Sequence, residues 1–246
     1  MVEQRNASVA IVGAGDFIGS AIARRFARKG YQLHLARRDG TKLDDLVAGI
    51  ASEEGTATAH SVDARSEEAI IAFLDAANAA APLELVVFNI GANVNFPILE
   101  TTERVFRKVW EMACLAGFLT GREAARHLLA NGGGSIFFTG ATASLRGGSG
   151  FAAFASAKFG LRAVAQSMAR ELGPKNIHVA HLIIDSGVDT AWVRERREQL
   201  WGKEALDNPN LLMPPASVAA SYWQLYQQPR SAWTFEMEIR PFGEKW

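Results

Sequence analysis

Residues 8–19 read SVAIVGAGDFIG and decide the fold, because a short β-branched run, a glycine-rich turn and the start of a helix follow one another. Gly13 permits a tight turn, and Gly15 lets backbone amides approach a pyrophosphate. Gly19 lets the helix pack closely on the strand, and the helix N-terminus supplies an anion site. The spacing is GxGxxxG, and a purely structural turn is the alternative. The dinucleotide-binding residues predicted here are Gly13, Gly15, Asp16, Phe17, Ile18 and Gly19.

Outward from this unit, β-branched or aromatic runs alternate with Ala-rich stretches of helical period. Strands are predicted at Ser8–Val12, Tyr31–Leu35, Thr56–Val62, Glu84–Ile90, Ser135–Thr139, Ile177–Ile184 and Thr234–Ile239. Helices are predicted at Asp16–Lys29, Lys42–Glu53, Glu67–Ala80, Glu103–Ala130 and Phe151–Leu172. Right-handed crossovers between these strands give an α/β fold, a Rossmann-like doubly wound sheet of seven parallel strands with helices on both faces. We expect a single domain over residues 1–246.

The periodicity fades between Asp185 and Pro215, where large apolar residues stand among charges. This segment follows the carboxyl end of a strand, where doubly wound sheets bind their ligands. We therefore predict a substrate lid of one or two short helices at about residues 186–215. Pocket candidates are apolar or aromatic, and they are Phe96, Leu145, Phe151, Trp192 and Trp201.

Composition excludes several classes of protein. The chain has 246 residues, of which 48% are hydrophobic and 21% charged, so it can build a core and is not disordered. Its 26 basic and 26 acidic residues balance, which argues against a nucleic-acid partner. The short apolar run near the N-terminus predicts neither a signal peptide nor a membrane anchor. With a single Cys and no spaced Cys/His ligands we expect no metal, and we expect a cytoplasmic protein with a small-molecule substrate.

The end of the second strand bears on cofactor choice. NAD-binding sheets place an acid there to hold the ribose 2′-hydroxyl. Here Arg37 and Arg38 occupy that place, and no acid follows until Asp39. Two guanidiniums suit a 2′-phosphate through charge-assisted hydrogen bonds, so NADP(H) is favoured over NAD(H). Two solvated surface arginines are the alternative.

Four motifs together resemble the classical short-chain dehydrogenases/reductases over essentially the whole chain. They are the glycine turn, Asp63 after the third strand, residues 89–92 (NIGA) after the fourth, and residues 155–158 (ASAK) in a helix. The resemblance implies that Asp63 and Ala64 lie at the adenine. It also implies that the Asn89–Gly91 turn lies along the adenine-ribose side. Lys158 would bind the nicotinamide ribose.

The same resemblance exposes departures at the catalytic positions. The family uses a Tyr four residues before the Lys as proton donor, and that position is Phe154. A family Ser 13 residues before the Tyr corresponds to Ala141, and the family Asn in the fourth helix to Cys114. The Pro-Gly turn after the sixth strand is replaced by Ile184-Asp185. We read this as a rebuilt or silenced catalytic site.

The remaining polar candidates have two readings each. Lys158 is either the ribose ligand or a solvated lysine. Thr142 either reaches the pocket or satisfies its own backbone. Asp185 is either an acid beside the nicotinamide or a helix N-cap.

Two functions follow from this pattern. The first is an NADP(H)-dependent oxidoreductase acting on an unknown, apolar or aromatic, carbonyl or alcohol with an atypical site. The second is a catalytically silent NADP(H)-binding protein that acts as a sensor, scaffold or partner subunit. The helices 103–130 and 151–172 correspond to the pairing faces of the family, which implies a homodimer or homotetramer.

Overall fold

A computed structural model of the chain describes residues 4–206 and 208–244, and it contains one parallel sheet of seven strands in the order β3-β2-β1-β4-β5-β6-β7. The strands are β1 Ser8–Val12, β2 Gln32–Arg37, β3 Thr56–Ser61, β4 Leu83–Phe88, β5 Gly134–Ala141, β6 Ile177–Ile184 and β7 Glu236–Ile239. The helices are α1 Ile18–Ala27, α2 Asp44–Ser52, α3 Glu67–Ala80, α4 Glu103–Trp110, α5 Ala116–Ala130, α6 Ala152–Leu172, α7 Ala191–Trp201 and α8 Pro215–Tyr226. The predicted doubly wound, single-domain α/β fold is confirmed.

Both faces of the sheet are covered, and the alternation of side chains along β1 shows how. Val9 and Ile11 belong to a buried cluster with Phe26 of α1 and with α8. Ala10 and Val12 point the other way, into a cluster with Phe73 of α3 and with helices α5 and α6. Since apolar helices cover both faces, polar ligands have access only at the strand ends.

Several boundaries near those ends differ from the prediction, and among them strand β5 continues to Ala141 instead of ending at Thr139. Strand β2 continues to Arg37 rather than ending at Leu35, because Ala36 is buried and pairs with strands on both sides. Strand β4 ends at Phe88, so the predicted residues Asn89 and Ile90 lie outside its ladder with β5. Helix α1 begins at Ile18 instead of Asp16. Each shift lengthens or reshapes a loop at the carboxyl edge.

The long predicted helix 103–130 is interrupted. Residues Glu111–Leu115 form one π-helical turn between α4 and α5. Cys114 lies within this turn and is buried. The turn changes which side of the helix faces the sheet.

The segment predicted as a lid contains α7, followed by two short 3-10 turns at Lys203–Leu206 and Pro209–Leu211. Its closing over a substrate stays a prediction. Helix α8 was not assigned from the sequence, and it packs against α1. The side chain of Trp201 lies outside the described residues. Within the described ranges, no helix combines the length and hydropathy needed to cross a membrane, and no cluster of His, Cys, Asp and Glu is suited to a metal.

Candidate active site

One cavity of about 1300 Å³ runs along the carboxyl edge of the sheet. Its first half, the nucleotide end, lies at the ends of β1, β2 and β3. Its second half, the substrate end, lies at β5, α6 and α7. The predicted residues that line it are Gly13, Gly15, Asp16, Phe17, Ile18, Gly19, Arg37, Arg38, Asp63, Ala64, Asn89, Gly91, Ala141, Thr142, Phe154 and Lys158, and Asp185 is not among its lining residues.

The glycine turn has the close contacts that its sequence requires. Gly13 has φ +90°, and a Cβ there would lie 2.8 Å from the carbonyl carbon and oxygen of Asn89. A Cβ on Gly19 would lie 2.6 Å from the Gly13 carbonyl oxygen. Gly15 differs, because a Cβ there would meet nothing within 4 Å. Gly13 and Gly19 are therefore required by packing, whereas Gly15 keeps space open in the cavity.

Helix α1 begins at the cavity wall without a side-chain cap. Phe17 occupies the N-cap position and makes no capping hydrogen bond, and the first turn holds no acid. Phe17, Ile18 and Gly19 all line the cavity. An uncapped helix start with open backbone amides favours a bound anion, so these residues fit the pyrophosphate of a dinucleotide.

The predicted 2′-phosphate residues lie at the nucleotide end. Arg37 donates to the Asp16 carboxylate at 3.0 Å and more weakly to the Lys42 carbonyl at 3.4 Å. Arg38 is exposed and makes no ion pair within the described residues. Lys42 also lines this end. Three cations thus face this part of the cavity, which fits a phosphate beside the ribose.

Asp63 is held by its neighbour Arg65. Its Oδ1 accepts from the Arg65 backbone and Nε, and its Oδ2 from Nη2 at 2.5 Å. These hydrogen bonds hold the pKa of Asp63 below its usual value, so the carboxyl is ionised at neutral pH. A carboxylate has about four acceptor positions, so room remains for an amino group such as that of adenine.

Asn89 ties the glycine turn to the centre of the sheet. Its Nδ2 donates to the Gly13 carbonyl at 3.1 Å, and its Oδ1 accepts from the Thr139 hydroxyl at 2.9 Å. Thr139 also lies 2.5 Å from the hydroxyl of Tyr222 on α8. This chain of buried hydrogen bonds was not predicted from the sequence, because its members are 50 to 83 residues apart.

Lys158 lies at the bottom of the cavity with 2% of its surface exposed. Its Nζ donates to the Thr139 carbonyl at 2.8 Å and to the Ile90 carbonyl at 3.2 Å. No carboxylate pairs with it within the described residues, and burial lowers its pKa to about 8. The solvated-lysine alternative is therefore wrong. One N–H of the ammonium remains for a ligand such as a ribose hydroxyl.

A buried histidine is affected by the charge of Lys158. His181 on β6 is fully buried, and its Nδ1 lies 3.3 Å from Glu236, which also accepts two hydrogen bonds from Arg162. Burial, together with the charge of Lys158, lowers the pKa of His181 to about 4. His181 is therefore neutral at physiological pH, and the Arg162–Glu236 ion pair secures β7 to α6.

Phe154 and Ala141 stand where the resemblance places the catalytic Tyr and Ser. The Phe154 ring is buried, lines the cavity, and has its centroid 5.9 Å from Lys158 Nζ. Ala141 lines the same wall, and its backbone N–H donates to the Ser144 hydroxyl at 3.1 Å. Thr142 lines the cavity beside them. The two aligned positions thus share the cavity, but neither carries an exchangeable side-chain proton.

Asp185 has a different environment from either of its two predicted ones. It is 3% exposed, with Arg146 Nη2 3.3 Å from one carboxylate oxygen and Arg240 Nη2 3.2 Å from the other. The N-cap of α7 is Thr190, whose hydroxyl accepts from the Val193 backbone, so the N-cap reading of Asp185 is wrong. The carboxylate is engaged in ion pairs instead of facing the cavity.

The apolar pocket prediction is met in part. Phe151 and Trp192 line the cavity together with Met112, whereas Phe96 and Leu145 do not line it. At the substrate end the structure adds three arginines that were not assigned from the sequence, Arg146, Arg196 and Arg197, and at the nucleotide end it adds Arg65. The helical spacing of residues 192, 196 and 200 along α7 was the available signal, since it places them on one face.

Comparison with known proteins agrees with the fold and the glycine turn. A doubly wound parallel sheet with such a turn defines a dinucleotide-binding protein. The family model described as short chain dehydrogenase matches residues 7–201. The chain therefore belongs to the short chain dehydrogenase family, whose members are usually oxidoreductase enzymes with small-molecule substrates.

Two similar proteins illustrate the relationship. A crystal structure of a short-chain dehydrogenase from Rhodopseudomonas palustris is 64% identical, with a TM-score of 0.85 over 97% of this chain and 100% of that one. The 3-oxoacyl-[acyl-carrier-protein] reductase MabA of Mycobacterium tuberculosis is 28% identical over 78% of this chain and 74% of its own. Other solved structures of this fold, 22–24% identical, hold NADP, NADPH or NADH, so the fold alone does not choose between these cofactors.

Proposed function

We propose that this protein is an NADP(H)-dependent oxidoreductase that interconverts a carbonyl compound and an alcohol in a site without the usual tyrosine. One observation carries the proposal. The same cavity is lined by the uncapped glycine turn at one end and by Lys158 with Phe154 at the other. A cofactor seated on the turn and extending to Lys158 would bring its nicotinamide to the wall formed by Phe154 and Ala141.

The preference for the phosphorylated cofactor rests on charge. Arg37, Arg38 and Lys42 line the nucleotide end, and only Arg37 forms a close ion pair, to the exposed Asp16. Such a pair at the surface contributes little free energy, about 0–1 kcal/mol, and can be exchanged for a phosphate. A 2′-phosphate would gain charge-assisted hydrogen bonds there that a ribose hydroxyl lacks.

The chemistry divides between the cofactor and the chain. When bound, the nicotinamide supplies or accepts the hydride. Lys158 orients the nicotinamide ribose with its remaining N–H, and its backbone hydrogen bonds hold that N–H in place. Phe154 shields the reacting carbon from bulk water, and the proton reaches the carbonyl oxygen from a water molecule. Compared with a site that has a positioned general acid, the rate of the chemical step is expected to be about 10²–10⁴-fold lower.

A silent cofactor-binding protein is the second candidate, and Phe154 favours it. Its ring occupies the place of the acid, and neither it nor Ala141 offers a hydrogen bond to a carbonyl oxygen. The two candidates share the cofactor site and differ only in turnover.

The experiment measures NADPH and NADH binding by fluorescence and NADPH oxidation over a panel of aromatic ketones and diones. Arg37→Ala with Arg38→Ala should weaken NADPH at least tenfold more than NADH, since only NADPH has the extra phosphate. The matched control is Arg28→Ala at the residue that follows α1, whose guanidinium pairs with Glu53 and does not line the cavity. Equal loss of both cofactors contradicts the preference. Tight NADPH binding without turnover of any carbonyl compound supports the second candidate, a catalytically silent cofactor-binding protein.

A further inference from the structure

The substrate end of the cavity carries an unbalanced positive charge. Its acidic lining residues are Asp16, Asp39 and Asp63 among those described, and all three lie at the nucleotide end. At the substrate end the charged lining residues besides Lys158 are arginines from two separate elements. Arg146 comes from the loop after β5, and Arg196 and Arg197 come from α7.

Two of these arginines are already paired. Arg146 lies 3.3 Å from Asp185, and Arg197 lies 3.5 Å from Glu244. Arg196 has no carboxylate partner within the described residues, and its guanidinium lies 5.5 Å from the centre of the Trp192 ring. Arg194, on the same helix, is held by Asp189 and does not line the cavity. Arg196 is thus the guanidinium whose charge is available to a ligand.

The aromatic contact positions that charge. Trp192 and Arg196 are four residues apart and lie on one face of α7, with Leu200 one turn further. All three line the cavity, as do the apolar Phe151 and Phe154. A flat indole beneath a guanidinium favours its planar orientation and leaves the N–H edge open. This arrangement suits a carboxylate or phosphate attached to an apolar carbonyl compound.

We propose that the substrate carries an anionic group, a carboxylate or a phosphate, which Arg196 binds while the apolar part contacts Phe151 and Phe154. This proposal rests on the proposed oxidoreductase function and adds the class of its substrate. Arg146 increases the local positive potential but does not make the primary contact with the anionic group, because its guanidinium already pairs with Asp185. The expected consequence is a preference for charged over neutral forms of one carbonyl compound.

The test uses three matched probes that share an aryl methyl ketone: 4-acetylbenzoate, 4-acetylphenyl phosphate and the neutral methyl 4-acetylbenzoate. Their binding to the full chain is measured by calorimetry, with and without NADP⁺, at low and high ionic strength. The wild type should bind at least one anion about tenfold more tightly than the ester, since one charge-assisted hydrogen-bond pair supplies that factor. High salt should reduce the preference. The two anionic probes distinguish a carboxylate substrate from a phosphate substrate.

Two variants on α7 decide the assignment. Arg196→Gln should abolish the preference for the anion without changing the affinity for NADPH. Arg194→Gln, the matched control, should retain both the preference for the anion and the affinity for NADPH.

An equal affinity for the anions and the ester in the wild type overturns the inference, as does a preference that survives Arg196→Gln. A loss of NADPH affinity in Arg196→Gln as large as the loss for the anion also overturns it, because the guanidinium then serves the cofactor. The separate NADPH titration of the wild type tests the proposed function. The arm without NADP⁺ still measures the charge preference if that titration fails.

Discussion

At the scale of single residues, Phe154 and Lys158 are one helical turn apart on α6, and both face the cavity. The phenyl ring packs over the ammonium at 5.9 Å, where a phenol would place its hydroxyl near the same charge. An ammonium beside a phenol lowers its pKa, which is the property a proton donor needs. The pair therefore retains the geometry of an acid site without the acid.

Phe154→Tyr combined with Ala141→Ser should raise NADPH oxidation with an activated aromatic ketone by more than the product of the two single changes. The reason is that both new hydroxyls act on one carbonyl oxygen. Steady-state rates of the wild type, both singles and the double check this. If the double variant binds NADPH but stays at the background rate, the pocket does not accept a carbonyl, and the silent alternative gains support.

Lys158→Met should alter the pH dependence of stability. The pKa of Lys158 is about 8 in the folded chain, against 10.5 for an ordinary lysine, so the unfolded state binds more protons between these values. The wild type therefore gains stability relative to Lys158→Met as pH rises from about 8 to 10.5, on the order of 2–3 kcal/mol. Urea denaturation at several pH values measures the difference. A difference that does not change with pH would show that Lys158 is not desolvated.

Local motifs and long-range contacts contribute differently to the candidate site. The glycine turn and Lys158 belong to local motifs, so their positions along the cavity followed from the order of residues. The partners of Asp185 did not, because Arg146 and Arg240 lie 39 and 55 residues away along the chain. An acid after a strand has the same local pattern whether it faces a ligand or an arginine.

At the scale of elements, the glycines in the turn between β1 and α1 have different roles, since Gly13 is needed for folding and Gly15 for cofactor binding. Gly13→Ala should destabilise the protein by about 1–3 kcal/mol, because it combines a positive φ with a backbone contact. Gly15→Ala should leave the thermal midpoint nearly unchanged and weaken NADPH binding, since its Cβ points into open cavity. Thermal unfolding and NADPH titration of both variants test this. Equal destabilisation by the two alanines would contradict the assigned roles.

Element boundaries were the less predictable part. Periodicity located the strands and most helices, yet the ends of β2 and β4 depend on pairing with strands distant in sequence. Helix α8 was not predicted, although its sequence carries helical signals, with Pro215 at the first position and the buried Val218, Tyr222 and Leu225 at helical spacing. The helical spacing places residues 192, 196 and 200 on one face of α7, but only the structure shows that this face lines the cavity.

At the scale of the whole molecule, large apolar side chains remain exposed on the helices that the sequence predicts to pair. Phe106, Trp110 and Phe118 of α4 and α5 and Phe159 of α6 are each about two-fifths exposed. Surfaces of this kind commonly mark contacts between subunits. The homo-oligomer stays a prediction, and these four exposed side chains are the expected contacts between subunits.

Trp110→Glu with Phe159→Glu should convert the expected dimer or tetramer to a monomer, because buried charges without partners oppose association. Light scattering at micromolar concentration gives the mass. The control is Leu99→Glu, which changes a loop residue that is 97% exposed and should leave the mass unchanged. A monomeric wild type would contradict the predicted homo-oligomer.

The π-helical turn at Glu111–Leu115 rotates the side chains of α5 relative to those of α4 in an otherwise continuous helix. One additional residue in a turn rotates everything beyond it by about 100° around the axis. Helix α5 thereby faces strands β4 and β5, while α4 faces α6. Deleting a single residue from the turn would restore α-helical geometry and turn Phe106 and Trp110 toward a different neighbour. The length of this turn, rather than the identity of any side chain in it, sets the angle between the two faces.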